Sequence, residues 1–286
     1  MSSPMMNVSR SMSPTQLAGK TVGRGFPLVL LHGGTGSWTH WTRNIDKLAS
    51  SFQVHALDLP GFGHSPNVPA DTSADRYIDW VAAAISDYTR NQKYHLAGFS
   101  FGAVIAAGIA ARDVSRISAL TLIGPGGFGN PAGRRLDVRS LRADGSPQDR
   151  RDVMRHNLLQ IMLANSASVD DRTLDIQAEN IRNARFDSRR ISLQARLLND
   201  FGSVTVPLQL IWGALDHLAY PSIAARADLC RGVRPEARVD IIPSAGHWVQ
   251  YEQPAVFNEA LLSFAGGNPE HPRADARPQI CTSSRS

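Results

Sequence analysis

The feature that most constrains the fold of this chain is a Gly-x-Ser-x-Gly motif between a strand-like and a helix-like segment. An apolar run over residues 94–99 leads into Gly98, Ser100 and Gly102, and a stretch rich in Ala and Gly continues to residue 111. In such a strand–turn–helix the serine is held in a strained backbone conformation with its hydroxyl exposed at the sheet edge, and the glycines leave room for the crowded turn. The helix N-terminus points N–H groups at the space where negative charge would develop. The motif therefore predicts Ser100 as a nucleophile, against the alternative of a structural serine in a tight turn.

Composition limits the classes of protein that the chain can belong to. It has 286 residues, of which 42% are hydrophobic, enough for one large α/β domain or for a core with an insertion. No apolar run approaches the roughly 20 residues of a membrane span, the first 20 residues lack the apolar region of a signal peptide, and Cys230 and Cys281 are too few for a disulfide framework. We therefore expect a cytoplasmic protein without membrane contacts.

The net charge of +5 is concentrated at the two ends of the chain. The terminal segments hold six basic and two acidic residues and so account for +4, which leaves about +1 for the rest. A nucleic-acid-binding domain would carry a basic patch on its folded part. The distribution predicts that the protein does not bind nucleic acid.

Strand-like and helix-like segments alternate along most of the chain. Short apolar runs predict strands at 26–31, 52–58, 94–99, 117–123, 206–212 and 238–242, and amphipathic patterns predict helices at 38–50, 72–91, 221–230 and 254–264. This alternation predicts a doubly wound, mostly parallel sheet with helices on both faces. Ligands of such sheets bind at the carboxyl ends of the strands.

The alternation is interrupted between residues 128 and 203. This segment has no strand-like run, and its helical patterns fall at 149–164, 170–184 and 189–200. Its position between two strands predicts a helical lid inserted into a core of residues 17–127 and 204–265. A separate helical domain is the alternative. Residues 1–16 and 266–286 have a composition that predicts disorder.

Two further residues, each directly after its own strand, supply a base and its orienting partner. Asp216 follows the strand at 206–212, and His247 follows the last strand at 238–242. A hydroxyl becomes a nucleophile when a base removes its proton, and the base in turn needs an orienting group. The order Ser100, Asp216, His247 therefore predicts a catalytic triad. No cluster of His, Cys and carboxylates has metal-ligand spacing, and no strand leads into a dinucleotide or phosphate fingerprint, so we expect neither a metal nor a cofactor.

Two backbone N–H groups are predicted to stabilise the oxyanion. One belongs to Phe101, directly after the nucleophile, and the other to Gly34 in the loop His32-Gly33-Gly34 that follows the first predicted strand. Losing one such donor typically raises the barrier by about 3 kcal/mol.

At this point the residues resemble the α/β-hydrolase superfamily over most of the chain, from Phe26 to Phe264. The resemblance is carried by His32-Gly33-Gly34, Asp58-x-Pro60-Gly61-x-Gly63-x-Ser65, Gly98-x-Ser100-x-Gly102, Gly213-x-x-Asp216 and Gly246-His247. It implies the α/β-hydrolase fold with the lid after the sixth family strand, a covalent route without a cofactor, and hydrolysis of an ester, amide, lactone or activated carbon–carbon bond. A serine at position 100 argues against the members with an aspartate nucleophile.

Some motifs resemble one branch, the meta-cleavage-product hydrolases, which cut a carbon–carbon bond beside a ketone. These motifs are Gly246-His247-Trp248 with Glu252, and His32-Gly33-Gly34-x-Gly36-x-Trp38. The chain departs from that branch at Phe99 and His40, where the branch has asparagine. The resemblance implies a lid arginine that binds the substrate carboxylate, for which Arg182 and Arg185 are candidates.

The start of the chain departs from the superfamily, which has two antiparallel strands before the strand that ends in His32. Residues 15–26 leave room for little more than one short strand, and Gly19, Gly23 and Gly25 favour coil. We expect the first strand, or both, to be missing, which leaves a sheet edge to be exposed or covered by the N-terminal segment or a partner, including a second copy of the chain.

Three functions remain open on the sequence: a serine hydrolase of a small organic ester or lactone, a carbon–carbon bond hydrolase of meta-cleavage-product type, and a ligand-binding protein that keeps the fold without turnover. For each, the pocket is predicted between Ser100 and residues 128–203. Its candidate lining residues are Trp38, His40, Trp41, Phe99, Phe128, Arg182, Arg185 and Trp248. Ordinary core packing is the alternative for each aromatic residue, and we expect it for about half of them.

Overall fold

The computed structural model describes residues 16–129, 136–140 and 145–267. Seven strands within these ranges join into one sheet: β1 (Gly19–Val22), β2 (Pro27–Leu31), β3 (Gln53–Leu57), β4 (Tyr94–Phe99), β5 (Ile117–Ile123), β6 (Leu208–Gly213) and β7 (Arg238–Ile242). Their order in the sheet is β1-β3-β2-β4-β5-β6-β7. Only β1 is antiparallel to its neighbour, so the predicted mostly parallel α/β architecture is confirmed.

Ten α-helices are described between and after the strands. They are α1 (Ile45–Leu48), α2 (Ala74–Thr89), α3 (Phe101–Arg112), α4 (Pro147–Ile161), α5 (Asp171–Arg182), α6 (Arg189–Ser192), α7 (Leu197–Gly202), α8 (Ile223–Val233), α9 (Val249–Glu252) and α10 (Pro254–Gly266). A 3-10 helix, Trp38–Trp41, precedes α1. Within the described ranges, none of these helices combines the length and the apolarity that a membrane span requires.

The sheet separates two apolar clusters, one on each face. Strand β2 is fully buried, and its side chains alternate: Val29 and Leu31 belong to one cluster, Leu28 and Leu30 to the other. Helices α2 and α3 contribute to the first cluster, whereas α1 and α10 contribute to the second. A parallel sheet covered on both faces needs continuous apolar strands of this kind, which is why these strands could be predicted from apolar runs in the sequence.

Two predicted helices are each divided in the structure. The segment 38–50 forms the 3-10 helix and α1 rather than one continuous helix. The segment 189–200 forms α6 and α7, because Ala195 makes an isolated β-bridge with Phe128 and the N–H groups of Arg196 and Leu197 both donate to the Gly127 carbonyl. The helical periodicity did not reveal these tertiary contacts.

The sequence predicted that the first of the two N-terminal strands, or both, would be missing, and one of them is present. Gly19–Val22 forms β1 and pairs antiparallel with β3. Gly19 permits this pairing, since a Cβ at that position would lie 2.3 Å from the Ala56 carbonyl oxygen. The glycine therefore allows two backbones to approach closely, where the sequence analysis took it as a coil former. Any earlier strand would fall outside the described residues.

Helices α4–α7 lie between β5 and β6, in the segment predicted as a lid. Arg185 joins this segment to the loop after β3, since its guanidinium donates to the carbonyls of Gly63 (3.0 Å) and Ser65 (2.7 Å). The segments predicted to be disordered, 1–16 and 266–286, lie outside the described residues except for their innermost positions.

Candidate active site

Ser100 occupies a sharp turn between β4 and α3. Its backbone is strained, with φ 52° and ψ −108°, a region that non-glycine residues rarely adopt. A Cβ on Gly98 would lie 2.3 Å from the Gly102 carbonyl oxygen, and a Cβ on Gly102 would lie 2.5 Å from the carbonyl oxygens of Leu31 and His32. Both glycines are thus required by backbone contacts. The Ser100 N–H donates to the Ile123 carbonyl (2.8 Å), which fixes the turn to the end of β5.

Asp216 and His247 form a buried pair at the carboxyl ends of β6 and β7. The Nδ1 atom of His247 lies 2.8 Å from Oδ2 of Asp216. The other carboxylate oxygen of Asp216 accepts from the Leu218 N–H at 2.9 Å. The two side chains are 4% and 1% exposed, so solvent screens the pair little. The carboxylate thereby sets the His247 tautomer with the proton on Nδ1 and leaves Nε2 as the basic nitrogen.

The Nε2 atom of His247 is buried and has no hydrogen-bond partner among the described residues. His247 itself lines a cavity of about 380 Å³ together with Ser100 and Asp216. The ring is held in place by Phe99, whose centroid lies 5.0 Å away, and by Gly124, where a Cβ would stand 2.9 Å from the imidazole Cε1. A nucleophile candidate, a base with a free basic nitrogen and an orienting carboxylate therefore share one cavity.

The loop after β2 brings Gly33 and Gly34 close to the Ser100 turn. A Cβ on Gly33 would lie 3.3 Å from the Ser100 Cβ, and a Cβ on Gly34 would lie 4.0 Å from the Phe101 Cβ. Phe101 is the first residue of α3, so its N–H has no acceptor within the helix. Gly34 and Phe101 therefore lie close to each other and to Ser100, as the predicted pair of oxyanion donors requires.

Two buried histidines hold this loop. The Nε2 atom of His32 accepts from the Leu59 N–H (2.9 Å) and its Nδ1 donates to the Gly33 carbonyl (2.7 Å). Burial lowers the pKa of His32 to about 4, so the ring is neutral near pH 7. The Nδ1 atom of His40 accepts from the Gly33 N–H at 3.3 Å, and burial likewise lowers its pKa well below the ordinary value. Neutral rings can accept these N–H groups, which protonated rings could not.

The sequence profile of the Alpha/beta hydrolase family matches residues 28–260. The chain belongs to this family. It is 30% identical to a dihydrolipoyllysine-residue acetyltransferase component of an acetoin cleaving system from Pseudomonas putida, over 84% of this chain and 63% of that relative. It is 26% identical to a 2-hydroxy-6-oxononadienedioate/2-hydroxy-6-oxononatrienedioate hydrolase from Comamonas testosteroni, over 85% of this chain and 88% of that one. The chain thus spans somewhat less than two thirds of the first relative.

Solved structures of hydrolases share the fold of this chain. A meta-cleavage product hydrolase from Pseudomonas fluorescens superposes with a TM-score of 0.72 at 22% identity, covering 87% of this chain and 94% of that one. A thermophilic esterase from Thermogutta terrifontis superposes with a TM-score of 0.69 at 19% identity, covering 90% and 94%. The protein is an α/β-fold hydrolase, and the resemblance to carbon–carbon bond hydrolases is confirmed at the level of the family.

Among the predicted pocket residues of this hydrolase, Phe128 lines the cavity with Ser100. The other aromatic candidates lie elsewhere. Phe99 packs behind the His247 ring, and Trp41 is buried against Phe257. Trp38 lies under Lys20, whose ammonium is 5.1 Å from the ring centroid.

His40 and Trp248 also belong to the packing rather than to the cavity wall. Their ring centroids are 4.8 Å apart, and the Trp248 indole N–H donates to the His40 carbonyl at 2.9 Å. Trp41, Phe99 and Trp248 are therefore corrected to buried core positions, where large apolar rings are more stable, and Trp38 is only partly buried.

The two lid arginines proposed as carboxylate ligands do not line this cavity either. Arg182 is exposed and pairs with Glu179, and Arg185 binds backbone carbonyls of the loop after β3. Two other arginines, Arg189 on α6 and Arg226 on α8, line the cavity instead. Burial lowers the pKa of Arg226, whose guanidinium lies 4.2 Å from the ring centroid of Phe128. The sequence did not distinguish Arg226 from Arg231, which lies on the same helix and is exposed.

A second, smaller cavity of about 240 Å³ begins at Gly34 and Thr35. It continues between α4 and α5 and shares Ile161 with the first cavity. The inserted segment therefore borders two separate cavities, which the sequence did not predict.

Proposed function

We propose that this protein is a serine hydrolase that cleaves an ester, lactone or similar acyl bond of a small organic substrate. The observation that supports this most directly is the buried 2.8 Å contact between Asp216 and His247. The Nε2 atom of His247 has no partner among the described residues, and His247 lines the same cavity as Ser100. That combination is what a hydroxyl nucleophile needs from its base.

In the proposed reaction the Ser100 Oγ attacks the substrate carbonyl carbon while its proton passes to the His247 Nε2. The carbonyl oxygen becomes an oxyanion that accepts from the N–H groups of Gly34 and Phe101. Collapse of this intermediate breaks the bond to the leaving group, which takes the proton from His247 and departs. The acyl group stays on Ser100 until water, deprotonated by His247, releases it as the carboxylic acid. Asp216 stabilises the imidazolium in both halves of the cycle.

The position of the inserted helices supports a small substrate. Residues of α4 and α6 line the cavity together with Gly124, Phe128 and Trp212, so segment 128–203 forms part of its wall. A cavity of about 380 Å³ is within the usual range for small-molecule sites. We propose that this segment acts as a lid that excludes water from the acyl-enzyme.

Active-site labelling tests the nucleophile directly. A fluorophosphonate probe should modify the wild-type protein at Ser100, and the Ser100→Ala variant should not react. Ser115→Ala, at an exposed serine on the far side of α3, is the matched control and should label normally. Labelling that persists in Ser100→Ala would overturn the proposal.

Steady-state turnover separates the hydrolase from a ligand-binding protein on the same fold. p-Nitrophenyl acetate or butyrate should be hydrolysed over many turnovers, and His247→Ala should abolish this. A single stoichiometric release of nitrophenol, or binding without release across a panel of esters and lactones, would favour the binding protein.

A carbon–carbon bond hydrolase is the second candidate. It is supported by the meta-cleavage relatives and by Arg189 and Arg226, whose charges in the cavity suit a substrate that bears a carboxylate. The test is turnover of 2-hydroxy-6-oxo-6-phenylhexa-2,4-dienoate, the compound in the name of another relative, from Burkholderia cepacia. A kcat/KM for this dienoate above that for every ester would make carbon–carbon cleavage the main activity.

A further inference from the structure

We propose that the second cavity, between α4 and α5, is an acyl-group subsite for an aryl-sized group that carries a hydroxyl. The proposal rests on the proposed function, because it takes Ser100, His247 and the Gly34 loop as the reaction centre. It adds the class of acyl group that the centre accepts.

The position of the cavity relative to Gly34 and His247 identifies it as the acyl side. In a bound ester the carbonyl oxygen faces the N–H groups of Gly34 and Phe101, and the leaving-group oxygen faces His247, which protonates it. The larger cavity contains His247 and therefore takes the leaving group. The smaller cavity begins at Gly34 and Thr35 and is not lined by His247, so it lies where the acyl chain extends.

The size and walls of this cavity fit an aromatic ring. Its volume is about 240 Å³, whereas a cavity of about 150 Å³ is enough for benzene. Its apolar lining consists of Met154, Leu158, Ile161, Met162 and Ile181. Methionine side chains adapt to irregular shapes and make favourable contacts with aromatic rings. A ring with one or two substituents would fill the space.

One polar group in this wall lacks a partner. The cavity is also lined by Asn157 and Gln177. Both polar atoms of the Asn157 amide already have a partner, since Oδ1 accepts from the Arg139 N–H and Nδ2 donates to the Arg139 carbonyl, each at 2.8 Å. By contrast, the Gln177 Oε1 is buried and has no hydrogen-bond partner among the described residues. A buried polar atom without a partner lowers stability, and a ligand that supplies the missing hydrogen bond gains affinity from it.

A hydroxyl is the ligand group that suits Gln177 best. It can donate to the amide oxygen and, with the amide turned over, can accept from the amide nitrogen. A carboxylate could not donate to Oε1, and an ammonium would enter a wall that offers it no charge. The geometry therefore favours hydroxyaryl acyl groups over plain aryl or anionic ones.

The test compares matched esters that differ only in this hydroxyl. The substrates are p-nitrophenyl esters of benzoic, phenylacetic and 3-phenylpropanoic acid, each with and without a para-hydroxyl. At one or more chain lengths the wild type should prefer the hydroxylated ester by roughly tenfold in kcat/KM, since an unpaired site group penalises the analogue that lacks its partner. Gln177→Leu should bring this ratio to about one, because the hydroxyl then has no hydrogen-bond partner at this position. Equal kcat/KM values at all three lengths, or a preference that survives Gln177→Leu, would overturn the subsite.

Two further variants complete the test, one as a matched control and one that fills the cavity. Gln148→Leu, at an exposed glutamine of α4, is the matched control and should keep the wild-type ratio. Ile181→Trp should fill the cavity and lower kcat/KM for aryl esters roughly tenfold or more relative to kcat/KM for p-nitrophenyl acetate, whose acyl group is too short to reach the cavity. Equal losses on acetate and aryl esters would argue against a separate acyl subsite.

Failure of the subsite and failure of the proposed function give different results. If acetate is hydrolysed without any hydroxyl preference, only the subsite proposal fails. If no ester is hydrolysed, the proposed function fails. Isothermal titration calorimetry with 3-(4-hydroxyphenyl)propanamide and 3-phenylpropanamide then tests binding at the subsite without any need for turnover. Tighter binding of the hydroxylated amide, lost in Gln177→Leu, would support it, and equal affinities would overturn it.

Discussion

Gly34 lies so close to Ser188 that a Cβ added to it would stand 2.3 Å from the Ser188 hydroxyl oxygen and 3.3 Å from its Cβ. Ser188 belongs to the inserted segment, just before α6. The predicted oxyanion loop is therefore packed against the wall of the site with no room for a side chain.

We predict that Gly34→Ala lowers kcat by roughly 100-fold, because the methyl group must displace the loop and with it one oxyanion donor. Removing the Ser188 side chain removes both close contacts, and the next neighbour is the Phe101 Cβ at an ordinary 4.0 Å. The double variant Gly34→Ala/Ser188→Gly should therefore recover most of the lost activity. The measurement is kcat and KM for p-nitrophenyl butyrate in wild type, both single variants and the double variant.

Ser188→Gly alone serves as the control and should keep near-wild-type kcat. If the double variant is as inactive as Gly34→Ala, the contact with Ser188 is not what excludes a side chain at position 34. If Gly34→Ala is itself fully active, the Ser188 side chain makes room for the methyl group and the loop is not displaced.

Replacing the Asp216 carboxylate by an amide should remove most activity without unfolding the protein. In Asp216→Asn the amide can present an N–H to the His247 Nδ1, which favours the wrong tautomer and puts the proton on Nε2. The expected loss is roughly 10³- to 10⁴-fold in kcat with little change in KM. Asp228→Asn, at an exposed position of α8, is the control and should be unaffected. A loss below tenfold would mean that Asp216 does not orient the base.

The sequence located the strands and the residues at their ends because both depend on local pattern. Strands β4, β5 and β7 have the predicted bounds. The first two are mostly apolar runs, whereas β7 also contains Arg238 and Asp240. Parallel strands bring their carboxyl ends to one edge of the sheet, so residues directly after strands meet there. This is why Asp216 and His247, which are 31 positions apart, could be paired from the sequence.

The cavity walls could not be predicted in the same way. Which side of a helix faces a cavity depends on how the inserted segment packs, and local periodicity does not contain that information. Trp41 and Trp248 were candidates because they are large and near the motifs, but both are fully buried in the packing. Arg226 was not a candidate, because nothing in its helix distinguishes a cavity-facing arginine from a solvent-facing one.

Glu252 connects the inserted segment to the loop that carries His247. Its buried carboxylate accepts from the N–H groups of Gly246 (2.6 Å), Ala164 (3.0 Å) and Asn165 (2.8 Å). We predict that Glu252→Gln lowers the free energy of unfolding by about 1–3 kcal/mol, since the amide nitrogen cannot accept these N–H groups. Because Glu252 also holds the loop that carries His247, kcat should fall by a larger factor than KM rises.

The measurements for Glu252→Gln are urea unfolding, steady-state kinetics and limited proteolysis of residues 145–203. Glu259→Gln, at an exposed position of α10, is the matched control. Loss of stability without any change in kcat would show that Glu252 holds the fold but does not position His247. Unchanged stability would contradict the structural role altogether.

The buried His32 makes the stability of the protein depend on pH. Its pKa is about 4 in the folded protein, whereas in the unfolded chain it has the ordinary value of 6.5. Between these values the unfolded chain binds more protons than the folded one, so the contribution of His32 is fully present above pH 6.5 and is lost as the pH falls toward 4. From pH 7 to pH 5 the loss of stability from His32 is about 2 kcal/mol, and the lowered pKa of His40 acts in the same direction.

Urea unfolding at half-unit steps from pH 7.5 to 5 should show the free energy of unfolding decreasing. His32→Asn should make this decrease smaller. The variant should also be less stable at pH 7, because the acceptor for the Leu59 N–H is altered. His64→Asn, on the exposed surface, should leave the pH dependence of the wild type unchanged. A free energy of unfolding that stays constant down to pH 5 would mean that His32 is protonated as readily in the fold as outside it.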